Sequence, residues 1–126
     1  MSDIPRKLGK VQLEIMRVLW QRGQATAREI TDALSEHNIA HSTVQTLLRK
    51  LEAKGAVTHE IEERTFIFLP LYREVEVTKS ATRDLLVRLF GGSVSGMVAH
   101  LLKHEKVSRD ELARLRKLID GAKGIR

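Results

Sequence analysis

Residues Ser42 to Gly55, reading S-T-V-Q-T-L-L-R-K-L-E-A-K-G, gather the side chains of this chain best suited to chemistry with a polyanion. At roughly 100° per residue, Val44, Leu47, Leu48 and Leu51 fall on one side of a helix and Thr46, Arg49, Lys50 and Ala53 on the other. Hydroxyl and amide groups match the donors and acceptors on base edges, and the cations match phosphates. Ser42, Thr43, Gln45, Thr46, Arg49 and Lys50 are therefore the candidate DNA-contacting residues of a recognition helix. Ser42 is the expected N-cap, with Gln45 completing an S-x-x-Q capping box, and Gly55 sits where a left-handed C-terminal residue is wanted. Taken alone, the same pattern also describes an ordinary amphipathic core helix. The flanking elements decide between the two.

Other chemistries have little to stand on. The chain has no cysteine, which excludes disulfides, thiolate metal sites and cysteine redox sensing. Of its five histidines only His100 and His104 share a helical i, i+4 spacing, in H-L-L-K-H. A zinc hydrolase places Glu beside the first His, and that position is Leu101 here, so a solvated or interface pair is expected and no metal site. There is no Gly-rich phosphate loop and no nucleophile elbow. Neither an enzyme nor a cofactor is expected.

Stepping outward from the candidate helix, apolar residues Leu8, Val11, Ile15, Met16, Leu19 and Trp20 recur at three- and four-residue steps and Gly23 follows as a stop. Trp20 is expected to close the bottom of this first helix as a core residue. Thr26 and Glu29 form a T-x-x-E capping box for a second helix running to about Glu36, with Ile30, Ala33 and Leu34 inward. A short polar link, His37 to His41, leads into the helix with the bare face. That order is the helix-turn-helix plan. After Gly55, the β-rich runs Val57–Ile61 and Thr65–Leu69 are separated by Glu62, Glu63 and Arg64 and predict a hairpin. Three helices and a hairpin make a winged helix. Phe66 and Phe68 are expected to face the helices, with Ile67 and Leu69 opposite. The tip carries Arg64 beside two glutamates, and repulsion from phosphate opposes close approach. The wing is thus read as mainly structural, with Arg64 as a single DNA contact.

The carboxy-terminal half predicts a helix from about Thr78 to Phe90, a break at Gly91-Gly92, a short helix capped by Ser93 or Ser95, and a last helix opened by the S-x-x-E box Ser108–Glu111. Their apolar positions include Leu85, Leu86, Leu89, Phe90, Met97, Val98, Leu101, Leu112, Leu115 and Ile119. About fifty residues cannot enclose so many large aliphatic groups, so these form the candidate dimer interface of a homodimer. Docking onto the head of the same chain is the alternative. The expected division is a winged-helix DNA-binding domain over 1–72 and a helical dimerization domain over 73–126, mostly α with a small β-hairpin.

Length and charge fit this plan. The 126 residues allow one ordinary domain or two small ones, and 30% charged with 42% apolar residues is a globular balance rather than a disordered or membrane one. No apolar run reaches the length of a membrane span and Met1–Lys10 is polar, so a cytoplasmic protein without membrane insertion is expected. The net charge of +6 suits a polyanion but is spread over both halves, so the pattern on the recognition helix carries the argument.

Ile15-Met16 with Leu19-Trp20, Thr43-Val44 with Thr46-Leu47-Leu48, Leu51 and Lys54-Gly55, and Leu89-Phe90-Gly91-Gly92 occur in an order and spacing that is fairly specific. On these residues the chain resembles the penicillinase-repressor family of bacterial transcriptional regulators, the group of the BlaI and MecI repressors. The resemblance implies a winged-helix head, a helical dimerization domain, and repression of antibiotic-resistance or envelope-stress genes from an inverted-repeat operator on double-stranded DNA. It implies that Thr43 and Thr46 meet base edges or adjacent phosphates and that Lys50 meets phosphate. Some members are switched by a membrane sensor leading to cleavage, by a protease, in the helix after the Gly-Gly turn. The matching segment here is Val98 to Leu102, where His100-Leu101 stands in place of the Asn-Phe of the cleaved members. The copper-responsive branch carries a cysteine-rich tail, which this chain lacks. A second reading from the residues is a winged-helix protein-interaction module that grips an acidic protein partner with the same helix.

Overall fold

The computed structural model describes residues 8–122, so Met1–Lys10 is described only from Leu8 onward. Six helices and three short strands follow one another along the chain: α1 (Lys10–Arg22), β1 (Ala25–Thr26), α2 (Ala27–Ala33), a 3-10 turn (Ser35–His37), α3 (His41–Ala53), β2 (Val57–Glu62), β3 (Thr65–Pro70), α4 (Glu74–Phe90), α5 (Val94–His104) and α6 (Arg109–Gly121). The protein is mostly helical, as expected. It divides into two compact units between Asp84 and Leu85, within α4.

The core of the first unit is built from the apolar stripes of its three helices. Ile15, Met16 and Leu19 of α1, Ile30 of α2, and Val44, Leu48 and Leu51 of α3 are all fully buried, with Ala56, Val57 and Phe68 closing the cluster from the hairpin. Trp20 packs at the margin of this cluster, half-buried, because its indole N–H donates to the Tyr72 carbonyl at 2.7 Å and must reach the chain beyond β3. The T-x-x-E box opens α2 as expected: Thr26 Oγ1 accepts from Glu29 N at 3.1 Å, and Glu29 Oε1 accepts from Thr26 N at 2.8 Å. Helix α2 stops at Ala33, short of Glu36, because the chain tightens into the 3-10 turn and Asn38 adopts a left-handed conformation with φ 53°.

Helix α3 ends in a Schellman motif. Gly55, at φ 79°, donates to the Glu52 carbonyl, and Ala56 donates to that of Leu51 at 2.9 Å. A Cβ at this φ would be strained, so glycine is required there.

The sheet adds an element that periodicity does not reveal. Strand β3 is central, paired antiparallel with β2 on one side and with the two-residue β1 on the other, in the order β1-β3-β2. Because Glu62 pairs with Thr65, the hairpin loop is the two residues Glu63 and Arg64, shorter than the three-residue link expected. Both take positive φ, 50° and 70°, the conformation of a type I′ turn.

Phe66 departs from expectation. It shares a strand face with Phe68, but Phe68 is 6% exposed and Phe66 45%, and its pairing partner Ile61 is 64% exposed. Burial fades from Val57 through His59 to Ile61 along the same face, so the hairpin outruns the helical layer behind it.

In the second unit, Gly91 and Gly92 adopt φ of 58° and 84° and end α4. Ser93 is the cap of α5, its Oγ accepting from Gly96 N at 2.9 Å, and Ser108 caps α6 by accepting from Glu111 N at 3.1 Å. Neither α5 nor α6 contains a buried residue.

Left-handed backbone is unfavourable for side-chain-bearing residues and the turn favours Asn-Gly. Glu63→Asn with Arg64→Gly is therefore expected to stabilise the protein by about 0.5–2 kcal/mol, measured as a higher urea midpoint with unchanged m-value.

Candidate nucleic-acid interface

Helix α3 presents two different faces. Val44, Leu48 and Leu51 have no exposed surface, whereas Ser42, Thr43, Gln45, Thr46, Arg49 and Lys50 are all exposed. Burial of one stripe fixes the helix in rotation about its axis, and the polar stripe is left facing outward.

The start of α3 corrects the expected cap. The N-cap is Ala40, with extended backbone and no side-chain cap, and the helix begins at His41. A tertiary contact competes with the local box. The Thr31 hydroxyl donates to the Ala27 carbonyl at 2.8 Å, so it accepts from His41 Nδ1 at 2.9 Å and anchors His41 in the first turn. Ser42 and Thr43 thereby become first-turn residues with exposed hydroxyls, at the end where helix N–H groups and dipole favour an anion.

Arg49 leans back along the helix, its Nη2 lying 3.4 Å from Thr46 Oγ1. An open groove of about 430 Å³ runs between α3 and the hairpin. His41, Gln45, Arg49 and Glu52 line one wall, Arg64, Thr65, Phe66 and Phe68 the other, and Thr26, Ala27 and Arg28 its end. The groove brings three predicted residues, Gln45, Arg49 and Arg64, to one place. Arg28 joins them, and sequence reasoning missed it because its position depends on the pairing of β1 with β3.

The wing is fastened to α3 through His59. Its ring stacks on Phe66 with centroids 4.0 Å apart and planes 8° from parallel, and its Nδ1 lies 2.9 Å from the Glu52 carboxylate. Phe68 completes the cluster, 5.8 Å from His59. This contact holds the hairpin beside the polar face, and it occupies Glu52, the one carboxylate among the described residues that line the groove.

The second unit's predicted residues divide by exposure. Leu85, Leu89, Val98, Leu101 and Ile119 are exposed, Phe90, Met97, Leu112 and Leu115 are half-buried, and Leu86 is covered by its own chain. His100 is exposed on α5, edge-on to Phe90 at 5.6 Å and 4.4 Å from His104. Among the described residues no group of three or more metal-ligating side chains converges. No single helix there is long and apolar enough to cross a membrane.

The family model of the penicillinase repressors matches residues 8–121. This chain belongs to the penicillinase repressor family. The family is one of repressors, not enzymes. The chain is similar to the penicillinase repressor of Bacillus licheniformis, with 28% identity over 121 residues that cover 95% of this chain and 94% of that protein. It is also similar to the methicillin resistance regulatory protein MecI of Staphylococcus aureus (strain N315), with 20% identity over 95% of this chain and 98% of the relative. Among solved structures, the DNA binding domain of the repressor BlaI aligns with 32% identity and a TM-score of 0.51, covering 59% of this chain and 90% of that one. The monomeric form of Bacillus licheniformis BlaI in complex with the blaP half-operator aligns at the same identity and TM-score, over 60% and 93%. The fold of this penicillinase repressor family member is thus that of a BlaI-type DNA-binding domain followed by helices.

His59→Ala removes the stack on Phe66 and the link to Glu52. It is expected to cost about 0.5–1.5 kcal/mol and to raise amide hydrogen exchange in β2 and β3 selectively. Unchanged hairpin protection would show that Phe68 alone holds the wing.

Proposed function

We propose that this protein is a homodimeric transcriptional repressor that seats α3 of each copy in the major groove of an inverted-repeat operator and controls antibiotic-resistance or envelope-stress genes. The observation that carries this reading is the exposure of Ser42, Thr43, Gln45, Thr46, Arg49 and Lys50 on a helix whose other side is held by the fully buried Val44, Leu48 and Leu51. Short hydroxyls, an amide and two cations at the leading edge of a packed helix suit base edges and phosphates together. Arg64 at the wing tip supplies one further backbone contact across the groove it shares with Arg49. The structure of BlaI, a relative with a similar head, in complex with the blaP half-operator supports operator DNA as the ligand.

Dimerization rests on the second unit. Leu89, Leu101 and Ile119 are 66%, 44% and 65% exposed, and helices without any buried residue have no core of their own. A second copy would cover these faces and set two heads about a two-fold axis, as a dyad-symmetric operator requires. Residues 73–126 are thus assigned as the dimerization domain, with Leu86 beneath the interface rather than on it. In the cytoplasm, a membrane sensor or protease that ends repression would meet α5, which carries His100-Leu101 at the position cut in the switched members of the family.

A gel-shift assay on the DNA upstream of its own gene tests the repressor reading. Arg49→Ala is expected to weaken binding by about 1–3 kcal/mol, and the affinity should fall steeply with salt. Capture of an acidic protein that survives nuclease treatment, with no DNA shifted, would transfer the function to the protein-interaction reading instead. In sedimentation velocity the wild type is expected to run as a dimer, and Leu101→Asp or Ile119→Asp as a monomer. These monomers should lose operator avidity by roughly 10²–10⁴-fold while retaining wild-type helical content.

A further inference from the structure

The flank of α3 away from the wing holds a second cleft, of about 650 Å³, where α3 passes the start of α1. Lys10, Lys50 and Lys54 line it together with Gly9, Val11, Gln12, Leu47 and Ala53, and no carboxylate among the described residues does. All three lysines are exposed.

One feature makes this arrangement unfavourable for the protein by itself. Lys10 is the first residue of α1, the end at which the helix dipole disfavours a cation, and that first turn contains no acid. An anion in the cleft relieves that conflict, and Lys50 and Lys54, four residues apart at the end of α3, share the face that would meet it. The geometry is also prepared for one. Gln12, only 7% exposed, accepts from Gly9 N at 2.9 Å and from Lys54 Nζ at 3.2 Å, so a buried amide holds the Lys54 ammonium over the cleft beside the start of α1.

Charge and shape select the anion. Lys50 belongs both to the recognition face of α3 and to this cleft, so a ligand here is continuous with whatever lies against Thr46 and Arg49. The wing offers the opposite balance, since its tip places Glu62 and Glu63 beside Arg64. We propose that the Lys10–Lys50–Lys54 cleft grips the phosphate backbone of one DNA strand, so that the head is anchored through its α1 flank more than through its wing. This rests on the repressor reading and adds a backbone site to it.

The test is fluorescence anisotropy across a salt series, with one labelled duplex from upstream of the protein's own gene and one scrambled duplex of equal length. Each phosphate contact removed should lower the slope of log K against log salt by about 0.9. Lys10→Ala and Lys54→Ala are each expected to lower it by about that much on both duplexes and to leave the ratio of the two affinities unchanged. Lys10→Arg should keep the wild-type slope. Because Lys54 also bonds Gln12, Lys10→Ala is decisive, with its thermal midpoint checked against the wild type. Arg22→Ala, at the far end of α1, serves as the control for diffuse charge and should leave the slope as it is. The proposal is overturned if Lys10→Ala retains the wild-type slope, if it alters the affinity ratio, or if Arg22→Ala lowers the slope equally. A wild type that binds neither duplex sinks the repressor reading and this one together; steep wild-type binding with an unaffected Lys10→Ala sinks the cleft alone.

Discussion

The packing of Val44, Leu48 and Leu51 against α1, α2 and Phe68 is the constraint on which the proposed recognition surface depends. A helix is free to rotate about its own axis unless one side is committed, and complete burial of three aliphatic residues commits this one. Once that side is buried, the outward direction of Thr46, Arg49 and Lys50 follows from helical geometry alone. The polar face contributes little to holding itself in place. It contains the long approach of Arg49 to Thr46. Stability and the proposed recognition are therefore divided between opposite sides of the same thirteen residues, which leaves the exposed side free to vary in chemistry without disturbing the core.

The hairpin is attached to this helix by a different kind of interaction. Near its base, Val57 and Phe68 join the core; farther out, where the helical layer ends, His59 bridges from the Phe66 ring to the Glu52 carboxylate. The apolar grip gives way to a polar and aromatic one along a single strand face. The outermost pair on this face, Ile61 and Phe66, is 64% and 45% exposed. A wing built this way is firm at its root and progressively less constrained toward its tip.

Much of this was legible in the residues. The T-x-x-E box at Thr26, the stop at Gly55, the serine caps of α5 and α6, and the two-sidedness of α3 are all local, and each element formed where its own chemistry placed it. What escaped was non-local. The start of α3 is set by His41 reaching Thr31 on another helix, which overrides the box at Ser42. Strand β1 has two residues and no period, so only its pairing with β3 defines it, and Arg28 reaches the wing groove as a result. Alternation along β3 correctly placed Phe66 and Phe68 on one face, but it carries no information about how far the helices behind that face extend. The cation-lined cleft at α1 joins residues 10 and 54, a separation that no local motif spans.

Ala56 occupies a singular place in this design. Its N–H closes the end of α3 on Leu51, while its carbonyl accepts from Leu71 N at 2.9 Å, just past the hairpin's return. One residue thus joins the tail of α3 to the chain on both sides of the hairpin. The end of α3 and the root of the hairpin are tied at a common rivet of backbone hydrogen bonds, with no slack loop between them. The distance from α3 to the root of the hairpin is consequently set by main-chain bonds, whatever side chains either element carries farther out.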